Sequence, residues 1–190
     1  MEYWIYKYLV LTALGLSLGS MPAPAQVQKE RKITKSFPVS QVTTLSIYNK
    51  YGKVHINTNS PSEIKVEVTI VAQASSAEKA QSLAESIEIQ ITGGTNIILK
   101  SEGGPTSRFG IPMNNSRKTD YEINYLVSMP KTVALTLKNS FGDVYLADHQ
   151  SKLNLNVGYG SLKTARISGL EDKYIKVSFG SAVHRLYSAG

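Results

Sequence analysis

The 190-residue sequence contains no cysteine, carries a formal net charge of +7, and is 42% hydrophobic and 18% charged. The missing thiol excludes cysteine nucleophiles, disulfide frameworks and cysteine-based zinc sites. Stability therefore has to come from packing and backbone ladders, and a chain of this size buries enough surface in one domain to need no covalent staple.

Residues 1–25 read as an export signal. Lys7 supplies the positive start, Tyr8–Leu18 the apolar core, and Ala23-Pro24-Ala25 an A-x-A cleavage site before Gln26. The apolar run is too short to favour a permanent span, although an uncleaved N-terminal anchor is the competing reading. No cysteine follows for lipid attachment. The mature chain, 26–190, is expected to form one domain in the periplasm, on the cell surface or in the medium.

The basic stretch after Gln26 (Lys29, Arg31, Lys32, Lys35) leads into a strand or tether at Lys32–Phe37, expected to cap the first turn of the domain. A strand over Thr43–Tyr48 continues past Gly52 into Val54–Asn57. Beyond Pro61, Glu63, Lys65, Glu67 and Thr69 alternate with Ile64, Val66, Val68 and Ile70, which predicts a strand with one wet and one buried face. Ser75 or Ser76 can cap a helix whose apolar stripe is Ala77, Ala80, Leu83, Ala84 and Ile87. A hairpin is predicted from Ile87–Ile91 and Asn96–Ser101 around Gly93-Gly94. Residues 102–120 form the main irregular segment, and Tyr121–Met129 returns to strand before Pro130.

The remaining chain repeats one plan. Leu135-Thr-Leu-Lys-Asn-Ser-Phe-Gly142, Leu153-Asn-Leu-Asn-Val-Gly-Tyr-Gly160 and Tyr174-Ile-Lys-Val-Ser-Phe-Gly180 share inward-alternating apolar residues ending in an aromatic-glycine pair. Leu45-Ser-Ile-Tyr-Asn-Lys-Tyr-Gly52 is an earlier copy. The candidate corner residues are Asn49, Tyr51, Gly52, Asn139, Phe141, Gly142, Tyr159, Gly160, Phe179 and Gly180. Glycine accepts φ > 0 at a bend, and Asn49 and Asn139 tolerate left-handed backbone. Eighteen residues separate Gly142 from Gly160, which at about 3.3 Å each allows a contour of about 60 Å, one flattened turn of a coil. Stacked turns would set Phe141, Tyr159 and Phe179 into an aromatic ladder. The predicted fold is all-β: a single-stranded, right-handed β-solenoid with one short helical insert, the alternative being an antiparallel β-sandwich. The chain stops at Gly190 partway through a turn, so a C-terminally incomplete domain is expected.

Reactive residues give no catalytic constellation. His55, His149 and His184 stand apart, and none has a second histidine or glutamate at metal-ligand spacing. Asp143, Asp148 and His149 form the densest polar cluster, which reads most simply as turn chemistry. The chain has no Gly-x-Ser-x-Gly elbow, Walker loop or His-Glu-x-x-His helix. No catalytic, metal or cofactor residue is assigned. For an exported chain, the basic balance points to an anionic glycan or an envelope protein rather than nucleic acid, against the plainer reading of a solvated basic face.

The motifs Asn49-Lys-Tyr-Gly-Lys-Val, Tyr125-Leu-Val-Ser-Met-Pro130 and Asn139-Ser-Phe-Gly-Asp-Val, with the signal, the helical insert and the repeated aromatic-glycine turns, resemble the exported putative-adhesin family. The resemblance spans about Lys32 to Gly180. It implies a domain of unknown function with β-solenoid repeats, related to the head domain of putative autotransporter adhesins, and it transfers no functional residue. The resulting expectation is a non-enzymatic envelope or surface protein that presents a repetitive β surface, with Lys138, Tyr145, Asn154, Lys163 and Lys176 as candidate contacts. Two rivals remain. One is a polysaccharide-active enzyme on a β-helix scaffold, with Asp143 and Lys163 as its thin candidates. The other is a periplasmic sensor or assembly partner that accepts a strand at its C-terminal edge.

Overall fold

Period-2 alternation dominates the chain and organises it into strands with one inward and one outward face. The computed structural model describes residues 26–40, 43–101 and 120–184. The expected export signal and nearly all of the 102–120 segment lie outside those residues. The strands are β1 (Val27–Pro38), β2 (Thr44–Tyr51), β3 (Val54–Asn57), β4 (Glu63–Ala74), β5 (Ile89–Thr92), β6 (Asn96–Ser101), β7 (Asp120–Ser128), β8 (Ala134–Phe141), β9 (Val144–Leu146), β10 (Leu153–Thr164), β11 (Lys173–Val177) and β12 (Gly180–His184). One helix, α1 (Ala77–Ser86), stands between β4 and β5.

All the strands join one mixed sheet in the order β1-β4-β7-β3-β9-β10-β8-β2-β6-β5, with β11 and β12 also on β10. β10 curls that sheet. Its first half pairs with β8 and β11, and its second half with β9 and β12. Two walls result: β5-β6-β2-β8-β10-β11, and β1-β4-β7-β3-β9-β10-β12. Their inward side chains form one core that includes Leu45, Ile47, Leu135, Leu137, Leu153 and Leu155 from the first wall and Val54, Ile56, Val66, Val68, Tyr125 and Val127 from the second. Each fully buried Leu or Ile contributes about 1.5–3 kcal/mol.

The prediction of a single-stranded right-handed β-solenoid needs correction, because the sheet is mixed. β1-β4-β7 and β5-β6 are antiparallel. Parallel pairing joins the aromatic-glycine segments to each other, and joins β2 to β6 and β3 to β7. Local connectivity explains the difference: the short link around Gly93-Gly94 closes a hairpin, whereas parallel neighbours need a long crossover. The antiparallel sandwich does not describe the chain either. The lead-in strand is longer than expected, and it pairs with β4 at the edge of the sheet rather than with the first turn.

The helix begins at Ser76, whose Oγ accepts a hydrogen bond from Lys79 N at 3.4 Å, and buries Ala80, Leu83 and Ala84. Arg31 of β1 donates to the carbonyl oxygens of Glu85 and Ile87 at 3.0 and 2.7 Å. A cation therefore satisfies the carbonyl end of α1, where the helix dipole also favours it. This explains an arginine on β1 and fixes the helix against β1 and β4.

Candidate functional site

The aromatic-glycine segments stack in register. Tyr51 lies opposite Phe141, and Phe141 opposite Tyr159. Their rings stack at centroid distances of 5.2 and 5.0 Å, and Phe179 continues the ladder at 4.8 Å from Tyr159. Such distances suit aromatic pairs that gain beyond area burial alone. Tyr121 closes the other end, meeting Tyr51 edge-on at 5.5 Å. Lys50 Nζ lies 5.1 Å from the centroid of the Tyr51 ring, a cation–π contact.

The glycines beneath the ladder have a plain steric reason. A Cβ on Gly142 would land on the carbonyl oxygen of Gly52, one on Gly160 on that of Gly142, and one on Gly180 on that of Gly160. Gly142 also has φ 124°, in the region that favours glycine. Beside this column, Asn139 Nδ2 donates to Gly52 O at 3.1 Å and Gly142 O at 2.8 Å, and Asn49 Nδ2 donates to Ile123 O at 3.0 Å. Asn49 and Asn139 do not use left-handed backbone: among the described residues only glycines have positive φ. They are buried strand residues whose amides serve the bend, joined by Ser101 Oγ, which donates to Asn49 Oδ1 at 2.9 Å.

The polar cluster singled out in the sequence is likewise structural. Asp143 Oδ1 accepts from Ser161 N at 2.9 Å and Asp148 Oδ1 from Arg166 N at 3.1 Å, each from the next segment of the stack. Asn124 serves Lys53 N in the same way at 2.7 Å. His149 is fully buried, with Nε2 3.3 Å from Lys152 O and Nδ1 unpartnered. Burial holds its pKa below the usual value; the Lys152 carbonyl opposes this and the Lys173 charge adds to it. Across the core, burial pushes the Tyr125 hydroxyl up to about 12, opposed in part by Ser101. That hydroxyl makes no well-formed hydrogen bond. His55 is exposed on β3, 3.1 Å from Asn57 Oδ1 and packed on Tyr145 at 4.4 Å between centroids. The side chain of His184 lies outside the described residues. Among the described residues Asp143 and Lys163 form no ion pair, and no group of three or more His, Asp or Glu gathers at metal-binding distance.

The candidate contact residues divide between the two walls. Lys138, Asn154 and Lys176 face outward from the first, and Tyr145 and Lys163 from the second. On the first wall, register aligns Lys100, Tyr48, Lys138, Asn156 and Lys176 into one transverse row. Neighbouring parallel strands lie about 4.8 Å apart, so the lysines in alternate strands recur at about 10 Å. Asn154 belongs to the next row, beside Thr136 and Tyr174. Tyr48, Lys100 and Asn156 were missed in the sequence because their membership depends on strand register. The offset of aligned copies was the available signal: Tyr48, Lys138, Asn156 and Lys176 each stand four residues before a corner glycine. Among the described residues Lys138 and Lys176 have no ion-pair partner.

A mostly β fold with a curled mixed sheet and an outward row of cations is the setting for comparison with known proteins. No protein-family model matches the chain, and no curated protein matches it. Among solved structures, a putative cell adhesion protein from Clostridium sporogenes is similar at 11% identity and TM-score 0.40, covering 82% of this chain and 99% of that one. A putative adhesin from Bacteroides fragilis is similar at 11% identity and TM-score 0.44, covering 80% of this chain and 61% of that one. A putative lipid binding protein from Parabacteroides distasonis, at 12% identity and TM-score 0.30, covers 80% and 62%. At this distance the likeness stops short of a shared function.

Proposed function

We propose that this chain is an exported, non-catalytic binding protein of a bacterial envelope, and that the first wall of its sheet takes an anionic glycan. The parallel copies would act as a short, solenoid-like ruler on which each segment adds one outward side chain to a row. The observation that carries this reading is the register of Lys100, Tyr48, Lys138, Asn156 and Lys176, which alternates cations with an aromatic ring and an amide. Cations about 10 Å apart suit a polymer bearing one carboxylate per disaccharide. The ring and the amide between them offer stacking and hydrogen bonding to the sugars. Cleavage of residues 1–25 would deliver the domain to the compartment where such polymers occur.

The test is binding of purified protein to an acidic polysaccharide with alternating uronate residues, measured by calorimetry at low and moderate salt. Reversing Lys138 and Lys176 together should weaken binding about tenfold, a loss of about 1.4 kcal/mol. The matched reversal of Lys65 and Lys163 together, both outward on the other wall, should leave it near the unaltered value. Equal losses from both walls would reduce the effect to net charge and sink the ruled-row reading.

A further inference from the structure

The aromatic ladder and the outward lysine row lie on the same segments and keep the same phase. Each ladder ring stands three residues after a member of the row: Phe141 after Lys138 on β8, Tyr159 after Asn156 on β10, and Phe179 after Lys176, two residues past β11. Three residues of strand set the two lines about 10 Å apart. A segment that carries a cation therefore carries a phenyl ring, and the one between carries an amide and a phenol. Both lines repeat every second strand, again at about 10 Å. The floor between them is made of small, half-buried residues, Ser140, Gly158 and Ser178. Lys50 takes the corresponding place on β2, where its Nζ lies 5.1 Å from the Tyr51 ring centroid and marks the end of the channel. Stacking uses the ring faces, since Phe141, Tyr159 and Phe179 lie within 8° of parallel with their neighbours in this run. What the ladder offers outward is ring edge, with Phe141 40% and Tyr159 51% exposed. The edge is the positive part of the ring quadrupole, so it suits oxygen atoms rather than the apolar faces of a sugar. Tyr159 adds a hydroxyl that both donates and accepts.

We infer that β10 holds a neutral-sugar subsite between Asn156 and Tyr159, flanked by acidic-sugar subsites at Lys138 and Lys176. The inference rests on the glycan reading above and gives the polymer a sequence: charged, neutral, charged, with one sugar to each strand. The Asn156 amide and the Tyr159 hydroxyl approach the central sugar from opposite sides, and Gly158 leaves it room to lie close to the backbone. A polymer with a carboxylate on every sugar sets three anions against two lysines. Its central carboxylate replaces a hydrogen-bonding neutral group, and it is repelled by the carboxylates on either side. Discrimination then comes as much from what the subsite rejects as from what it holds.

Calorimetry with two polysaccharides of matched chain length tests this: one alternating glucuronate with N-acetylglucosamine, the other polygalacturonate. The unaltered chain should prefer the alternating polymer by about fivefold or more. Tyr159→Phe keeps a ring in the ladder, since phenylalanine already stands in the rungs on either side, so the melting temperature should hold. It should weaken binding of the alternating polymer about fivefold, the effect of one lost hydrogen bond, and leave polygalacturonate binding unchanged. Asn156→Lys fills the gap in the cation row and should reverse the preference. Equal binding of the two polymers by the unaltered chain would overturn the subsite, as would a Tyr159→Phe chain that keeps its preference. Either result leaves the glycan reading standing where reversal of Lys138 and Lys176 still weakens binding. If neither polymer binds, the glycan reading fails and the subsite falls with it.

Discussion

Three glycines separate the two reasons why a side chain is excluded from the corners. Gly94, in the β5–β6 turn, has φ 99° but nothing within 4 Å of where a Cβ would stand. Gly158 has no positive φ, yet a Cβ there would stand 2.6 Å from Ser140 O. Gly142 has both problems: φ 124°, and the Gly52 carbonyl oxygen in the place a Cβ would take. Gly94→Ala should therefore cost only backbone strain, about 1–2 kcal/mol. Gly158→Ala should cost only the clash, about 1–3 kcal/mol, since the obstructing atom is backbone held in a ladder and yields little. Gly142→Ala combines the two, for about 2–5 kcal/mol. At about 2–4 °C per kcal/mol for a domain of this size, the melting temperature should fall by about 2–8 °C for Gly94→Ala and about 4–20 °C for Gly142→Ala. Urea unfolding followed by far-ultraviolet circular dichroism gives the same comparison as midpoints at constant slope. If Gly142→Ala is no worse than Gly94→Ala, the carbonyl-on-glycine column is not what requires glycine in every copy.

Other outcomes follow from the buried polar groups and the outer walls. Asn139→Val should fit sterically, because Val157 occupies the equivalent place in the next copy, but it removes two bonds to the Gly52 and Gly142 carbonyls at a cost of about 1–3 kcal/mol, measurable by urea denaturation. His149 has a folded pKa held below its ordinary 6.5 by burial. The neutral ring is favoured in the fold, so stability is full above about pH 6.5 and is lost as pH falls from there toward the folded value. His149→Leu should flatten that acid limb of a stability–pH profile. Tyr125 behaves in the opposite sense: its pKa is raised to about 12 from 10.0, so its contribution is full below pH 10 and declines as pH rises through 12. Tyr125→Phe should flatten the alkaline limb, and an unchanged slope would show that the hydroxyl is not held neutral.

Local features of the fold were legible where one physical cause dominates. Ser75 or Ser76 followed by an Ala/Leu stripe marked a helix, which the structure caps at Ser76, and the alternation over Glu63–Ile70 continues in the structure to Ala74. The aromatic ladder was readable because the same pair recurs at nearly constant spacing, and parallel register is the simplest arrangement that uses it. What the repeat could not supply was the company it keeps. β4 and β7 have the alternation of any half-buried strand, and nothing in Ile64, Val66 or Ile123 states whether the neighbour runs parallel or antiparallel. The outward row was partly legible for the same reason. Lys138 and Lys176 are outward by parity, but their alignment with Tyr48 and Asn156 depends on long-range register.

The corner asparagines show most clearly how local chemistry can mislead. Asparagine near glycine reads as turn chemistry, because its amide competes for nearby backbone and it tolerates left-handed dihedrals. Here one of the Asn139 bonds is local, to Gly142 O three residues on, while the other reaches Gly52 O across the stack. Buried at 1% exposure, the amide satisfies a carbonyl that would otherwise face an apolar interior. Val157 and Val177 hold the corresponding inward places in the later copies. The polar requirement therefore belongs to the end of the stack where β7 crosses over and Tyr125, Ser101 and Asn49 enter the core. Stacked copies need an atypical flank where regular pairing ends. On this chain that flank is built inward, from buried amides and a hydroxyl, whereas at the Phe179 flank, among the described residues, Ile175 stays 43% exposed.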